Sequence, residues 1–297
     1  MKKIALTWIS CILAVICILL STGCSDGYSG PLEFELSDDR TYYIVDGVAD
    51  GENPISVTVP ESYRGKPVKE IGRSAFSYEW NLTSVILPDT IEEIGPLAFE
   101  ESSLEEITLP NGLQRIGLGA FSNTKIKKLI IPEGVTEFDS MCSESLVEEI
   151  EVKGDIKDWC FAKCSFLRTV TMTKNITEIP YRAFFKCGQL RYTIPESVTS
   201  IGAEAFNGAL QQEEIVIPKS VTRIGGWAFA NAGVEKIIFE DPNGWECYTL
   251  SYGVGMVGTK SEKSWEAIDA SDPSENAYHL TDSLYWTGAW RKIDAVE

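Results

Sequence analysis

The chain has 297 residues, 44% hydrophobic and 24% charged, a balance that supports a large buried core. Its formal net charge of −18 repels both nucleic acid and anionic lipid headgroups, which excludes nucleic acid as a partner class.

Residues 1–23 begin with Lys2 and Lys3, run apolar from Ile4 to Leu20, and end on Ser21, Thr22 and Gly23 before Cys24. This is the pattern of an export signal. The ending Leu-Ser-Thr-Gly-Cys resembles a bacterial lipoprotein signal, which implies acylation of Cys24 and attachment to a membrane through that lipid. The alternative is an uncleaved anchor helix of near-spanning length. Both place the rest of the chain outside the cytoplasm. Residues 24–30 then form a short polar tether.

Residues 31–56 read as a β-hairpin. Leu32, Phe34 and Leu36 alternate with Glu33 and Glu35, Ser37 to Arg40 supply turn chemistry, and Tyr42 to Val45 form a second β-rich run. Asp46-Gly47 and Asp50-Gly51 are read as turns; they lack the regular oxygen spacing of a calcium loop. The hairpin is expected to cap the N-terminal end of the repeat region.

Residues 57–239 repeat. Ile194 to Phe206 reads Ile-Pro-Glu-Ser-Val-Thr-Ser-Ile-Gly-Ala-Glu-Ala-Phe and returns at Ile217 to Phe229 with the same framework. The phenylalanine recurs at Phe76, Phe99, Phe121, Phe161, Phe184, Phe206 and Phe229, mostly at steps of 22 or 23, the period of stacked solenoid units. Each of about eight units should make a short strand such as Ile215 to Ile217, with its outer side chains inward and the middle one outward. Proline ends that strand, Val221 and Ile224 return to the core, Gly225 gives a tight bend or positive φ, and Phe229 fills the stack. The first unit carries an insertion from Tyr63 to Pro67. The units holding Phe138 to Cys142 and Trp159 to Phe161 are worn, with Lys153 and Lys174 where proline stands elsewhere.

Residues 240–297 break the period and concentrate Trp245, Tyr248, Tyr252, Trp265, Tyr278, Tyr285, Trp286 and Trp290. A cap that closes the last coil and a carbohydrate-stacking platform both explain such a cluster; the cap is preferred because an open last coil would leave an apolar patch.

Of the eight cysteines, Cys11 and Cys17 lie in the leader and Cys24 is the lipid candidate. Cys164 and Cys187 follow repeat phenylalanines by three residues, which points them into the core as free thiols, although neighbouring coils could also bring such positions close enough to bridge. The Cys160 to Cys164 spacing matches neither a redox nor a zinc pair, and His279 is the sole histidine, so no metal, cofactor or catalytic group is assigned and the chain is read as a non-enzyme. The outward strand positions are the binding candidates: Thr108, Ile130, Glu151, Thr171 and Thr193, with Lys127 and Lys128 as the positive patch beside them. The competing explanation is that β-branched residues suit strands and alternating charges keep a sheet soluble.

The Ile-Pro-x-x-Val-x-x-Ile-Gly-x-x-Ala-Phe unit, with the following Cys164 and Cys187, resembles the BspA-like leucine-rich repeats of bacterial surface proteins. The resemblance implies a right-handed leucine-rich-repeat solenoid with a parallel β-sheet, at the cell surface or outer membrane. It further implies adhesion to an extracellular protein or glycan. A self-associating coat protein and a carbohydrate-binding module in the aromatic C-terminal segment are the alternatives.

Overall fold

A computed structural model describes residue 28 and residues 30–250, 263–281 and 289–292, with backbone alone for 247–250 and 263–268. Cys24, Tyr252, Tyr285 and Trp286 lie outside the described residues, and Tyr248 and Trp265 are described by backbone only.

The chain winds as a parallel β-solenoid in which each regular coil supplies two short strands to two sheets on opposite sides of a common core. The first sheet stacks Ser56–Thr58, Ser84–Ile86 and Glu106–Ile107, then Lys128–Ile131, Glu149–Val152 and Thr169–Met172, then Glu214–Ile217 and Lys236–Phe239. All pairings within these groups are parallel. The in-out alternation follows the sequence: Leu129, Ile131, Ile150, Val152, Ile215 and Ile217 are buried while Lys128, Ile130 and Val216 are exposed.

The second sheet comes from the x-x-Ile part of the regular units, as at Thr199-Ser-Ile201 and Thr222-Arg-Ile224. Its first run passes through Lys66–Ile71, Glu93–Ile94, Arg115–Ile116 and Glu137–Phe138; its second through Glu178–Ile179, Ser200–Ile201 and Arg223–Ile224. Regular coils join these strands through backbone bonds such as Gly117 N–H to Ile94 C=O and Gly225 N–H to Ile201 C=O, both 2.7 Å.

A corner carries the phenylalanines. Phe76, Phe99 and Phe121 stack at 5.2 and 5.5 Å, and Phe161, Phe184, Phe206 and Phe229 at 5.6, 5.3 and 5.3 Å, all fully buried. Burying each ring contributes roughly 1.5–3 kcal/mol. Cys142 takes the spine place between Phe121 and Phe161. Each corner has two left-handed residues, two before and two after the spine position: Ser74 and Tyr78, Leu97 and Glu101, Trp227 and Asn231 are examples, with φ between 54° and 62°. Gly225, expected to give a tight bend or positive φ, does not have a positive φ. Gly225 is glycine because a Cβ there would lie 2.3 Å from the Ala203 nitrogen of the preceding coil; the strained backbone belongs to Trp227.

The hairpin Leu32–Leu36 and Tyr43–Val48 is antiparallel and joins the second sheet through Lys66–Ile71. Asp50-Gly51 is a turn, but Asp46-Gly47 lies within the second hairpin strand, where a bulge shifts the register opposite Glu33 and Phe34. Ser62–Tyr63 folds back on Lys66–Ile71, which accounts for the insertion in the first unit. At the far end, Trp290–Lys292 pairs antiparallel with both Arg223–Ile224 and Trp245–Leu250. Trp245 and Trp290 are buried against Phe239, at 4.8 and 5.7 Å, as a cap core requires. The helix Pro273–Thr281 packs on Lys236–Phe239, where Asn276 donates to the carbonyls of Ile237 and Ala270. Asp241 meets Lys292 at 2.6 Å, which holds its carboxyl down at about 2.

Candidate recognition surfaces

On the first sheet the structure brings Ile130, Glu151 and Thr171 into one row across three hydrogen-bonded strands, at Ile130↔Glu151↔Thr171. Ile130 and Thr171 are exposed and Glu151 is half-buried. Thr108 and Thr193 point outward and are exposed but lie outside the assigned strands. The row of outward strand positions is therefore interrupted twice. The ladder stops after Glu106–Ile107 and resumes at Lys128–Ile131, and it stops again after Thr169–Met172. At the second interruption the Gln212 side chain replaces a strand: its Oε1 accepts from Tyr192 N–H at 2.8 Å, and its Nε2 donates to Tyr192 C=O at 3.1 Å. Glutamine is an amide like the backbone, so its position near a strand is the signal that was there to read.

Lys128 pairs with Glu149 at 3.4 Å, whereas Lys127 makes no ion pair among the described residues. Both lysines are exposed. Exposed large apolar groups are the more distinctive feature of this face, with Ile86 at 53%, Ile130 at 41% and Val216 at 37% exposure.

The second surface was not anticipated. From the buried Val or Leu that follows the first strand to the first left-handed corner residue there are six positions in regular coils, as from Leu113 to Gly119 or Val198 to Glu204. From Ile156 to Trp159 there are three. That Ile156 belongs with Leu113 is shown by Gly154, whose added Cβ would meet the Glu133 and Val135 carbonyls just as that of Gly134 meets those of Leu113 and Asn111. Three residues are thus missing, and they are the second-sheet strand. The first run of that sheet ends at Glu137–Phe138 and the next begins at Glu178–Ile179, with an open slot between. A cavity of about 800 Å³ opens over this slot and extends onto the two preceding coils at Glu93, Pro96, Arg115 and Leu118; within the slot it is lined by Phe138 and Ile156 and by Glu137, Asp139, Lys157, Asp158 and Glu178.

The cysteines hold no chemistry on these surfaces. Cys142, Cys160, Cys164 and Cys187 are free and fully buried, and burial pushes the Cys160, Cys164 and Cys187 thiols well above their ordinary range. His279 faces Glu275 at 3.5 Å on the C-terminal helix. Among the described residues no group of three or more His, Cys, Asp or Glu is placed to hold a metal ion.

With repeat, sheets and spine in view, the class of protein is a leucine-rich-repeat solenoid. The chain matches the BspA type leucine rich repeat region, in six copies, over residues 69–191 and 147–244, and it belongs to that family. A leucine-rich repeat protein from Bacteroides ovatus ATCC 8483 shares the fold at 23% identity and a TM-score of 0.51, covering 73% of this chain and 72% of its own. Similar also are a leucine-rich repeat protein from Eubacterium ventriosum ATCC 27560, at 20% identity and TM-score 0.45 over 71% and 70% of the two chains, and a leucine rich cell surface protein from Faecalibacterium prausnitzii A2-165, at 18% identity and TM-score 0.37 over 73% and 95%. No curated protein matches the chain.

Proposed function

We propose that the chain is a non-catalytic recognition protein, exported and held at the bacterial surface by lipid on Cys24, that binds an extracellular protein or glycan across the outward face of its first sheet. The observation that carries this reading is the set of large apolar side chains left exposed there, Ile86, Ile130 and Val216, on strands whose alternate residues are buried. A rigid extended face of this kind binds by summing modest contacts over several coils. Export and lipidation rest on the leader, with Lys2 and Lys3, the apolar run and the small residues before Cys24.

The test is an array of glycans and matrix proteins probed with the full chain and with a Thr108→Ala, Ile130→Ser, Thr171→Ala variant. The expected result is saturable binding by the wild type and faster dissociation for the variant at an unchanged melting temperature, since exposed substitutions seldom move stability by more than about 0.5 kcal/mol. Equal dissociation rates would sink this face as the site. Labelling cells with a clickable fatty acid, with Cys24→Ala as control, tests the anchor; retention of label by the variant refutes it.

A further inference from the structure

The slot in the second sheet stands where one strand is missing between Glu137–Phe138 and Glu178–Ile179. In the first sheet the same coil pairs normally, Lys128–Ile131 to Glu149–Val152 to Thr169–Met172, so the stack has not collapsed there. Strands flanking one missing member stand about 9.6 Å apart, twice the ordinary spacing. Pro180 reports that the place is vacant. It follows Ile179 where regular coils have Gly95, Gly117, Gly202 and Gly225, whose added Cβ atoms would come within 2.3 to 2.8 Å of the coil before. A whole pyrrolidine ring fits at Pro180 because the strand it would strike is absent. Proline also has no N–H to offer, where Gly202 donates to Ile179 C=O at 2.7 Å.

The edges of the slot carry unused backbone groups. In the regular register the carbonyls of Glu92 and Ile94 accept from the next coil. Their counterparts, the carbonyls of Thr136 and Phe138, accept from no group among the described residues, and Glu137–Phe138 pairs with Arg115–Ile116 alone. Parallel register aims Phe138 N–H into the slot as well. Across it, Glu178–Ile179 pairs with Ser200–Ile201 alone, leaving the N–H and C=O of Glu178 toward the same space.

We propose that this slot is a docking site for an extended, basic segment of a partner protein, which enters as the missing strand and completes the second sheet. Its amides donate to the carbonyls of Thr136, Phe138 and Glu178, and its carbonyls accept from the amides of Phe138 and Glu178, the strand-addition mode of recognition. Alternate side chains of the guest rest on the apolar floor of Phe138 and Ile156. Those between them face the rim, where Glu137, Asp139, Asp158 and Glu178 outnumber Lys157. Arg115 is already engaged by Glu93 at 3.5 Å and Glu137 at 3.2 Å. The surplus negative charge selects lysine or arginine in the guest and disfavours an acidic strand.

The probe is a short fluorescein-labelled peptide alternating lysine and valine, titrated against the full chain by fluorescence anisotropy. Controls are the same peptide N-methylated at alternate amides and a version with glutamate for lysine. Saturable binding by the basic peptide is expected, weakened about tenfold by losing two amide donors and lost with glutamate. No saturable binding, or equal binding by the N-methylated peptide, overturns the proposal.

Two variants locate the site. Inserting Thr-Glu-Ile between Ile156 and Lys157, together with Lys157→Gly, restores the strand from within and should abolish peptide binding. Asp139→Lys with Glu178→Lys alters exposed rim residues alone and should weaken binding at least tenfold, which keeps the test decisive if the insertion does not fold. Retained affinity in the rim variant, or in a folded insertion variant, places the peptide elsewhere and refutes the slot. The first-sheet reading stands or falls separately: its variant leaves Thr136, Phe138 and Glu178 untouched.

Discussion

Two regions of the same stack solve one packing problem differently. From Val198 to Phe229 the coils are regular: Ile201 lies beside Ile224, Phe206 stacks on Phe229 at 5.3 Å, and glycines at 202 and 225 let the backbones touch. From Val135 to Phe161 the same columns hold other residues. Cys142 stands in the spine, Met141 takes the place alanine holds at Ala120, and Phe138 replaces the isoleucine of Ile116. The ring absent from the spine is supplied from the second sheet, since Phe138 meets Phe161 at 5.9 Å and 45°. A solenoid can thus exchange volume between columns of one coil, and even lose a strand, while the first sheet keeps its ladder. The core conserves volume more strictly than position.

The sharpest way to break this comparison is to empty a regular column. Phe206→Ala should cost about 3–5 kcal/mol in denaturant unfolding, because rings above and below hold the cavity open. A loss below about 1 kcal/mol would show that regular coils repack as freely as the worn one. Next in size is the exchange itself. Cys142→Phe puts a second ring where Phe138 already reaches and should destabilise by about 1–3 kcal/mol. Combining it with Phe138→Ile should recover most of that loss; if the double variant is instead as unstable as the two single changes added together, the columns do not trade volume.

Much of this was legible in the chain and some was not, for identifiable reasons. The phenylalanine spacing, the hydrophobic strand triplets and the Pro stops define the repeat because each residue type answers to one structural demand. Trp245 and Trp290 were recognisable as closing residues from their clustering, although Tyr278 in the same cluster is 60% exposed. The left-handed corner columns were hidden, since Ser74, Leu97, Trp159, Arg182, Glu204 and Trp227 share a backbone conformation and no chemistry. The missing strand was hidden more deeply. Ile156 fits either of two apolar columns, and counting from Phe161 back or from Val152 forward assigns it differently. The Ile179-Pro180 pair, where the regular units read Ile-Gly, was the clue that could have decided between them.

Gly225→Ala should cost about 1–3 kcal/mol, since the new methyl group meets Ala203 backbone at 2.3 Å and backbone cannot turn aside as a side chain can. A neutral Gly225→Ala would mean that coils slide apart at little cost and that the glycine column sets no spacing.

The smallest effect expected is at the corresponding place beside the slot. Pro180 has no strand of the preceding coil against its ring and no donor to lose, so Pro180→Gly removes no native hydrogen bond and creates no clash. What it changes is the unfolded chain, which gains freedom when a fixed φ is released, and the expected cost is about 0.4–1 kcal/mol. The reverse substitution on the regular side makes the contrast measurable. Gly202→Pro would delete the 2.7 Å bond to Ile179 C=O and drive a ring into the nitrogen of Tyr181, 2.6 Å from the added Cβ, so it should prevent the coil from forming in its present register. Thermal unfolding of both variants gives the comparison directly. Should Pro180→Gly destabilise as much as Phe206→Ala, the proline ring is packed against protein and the slot beside it is closed.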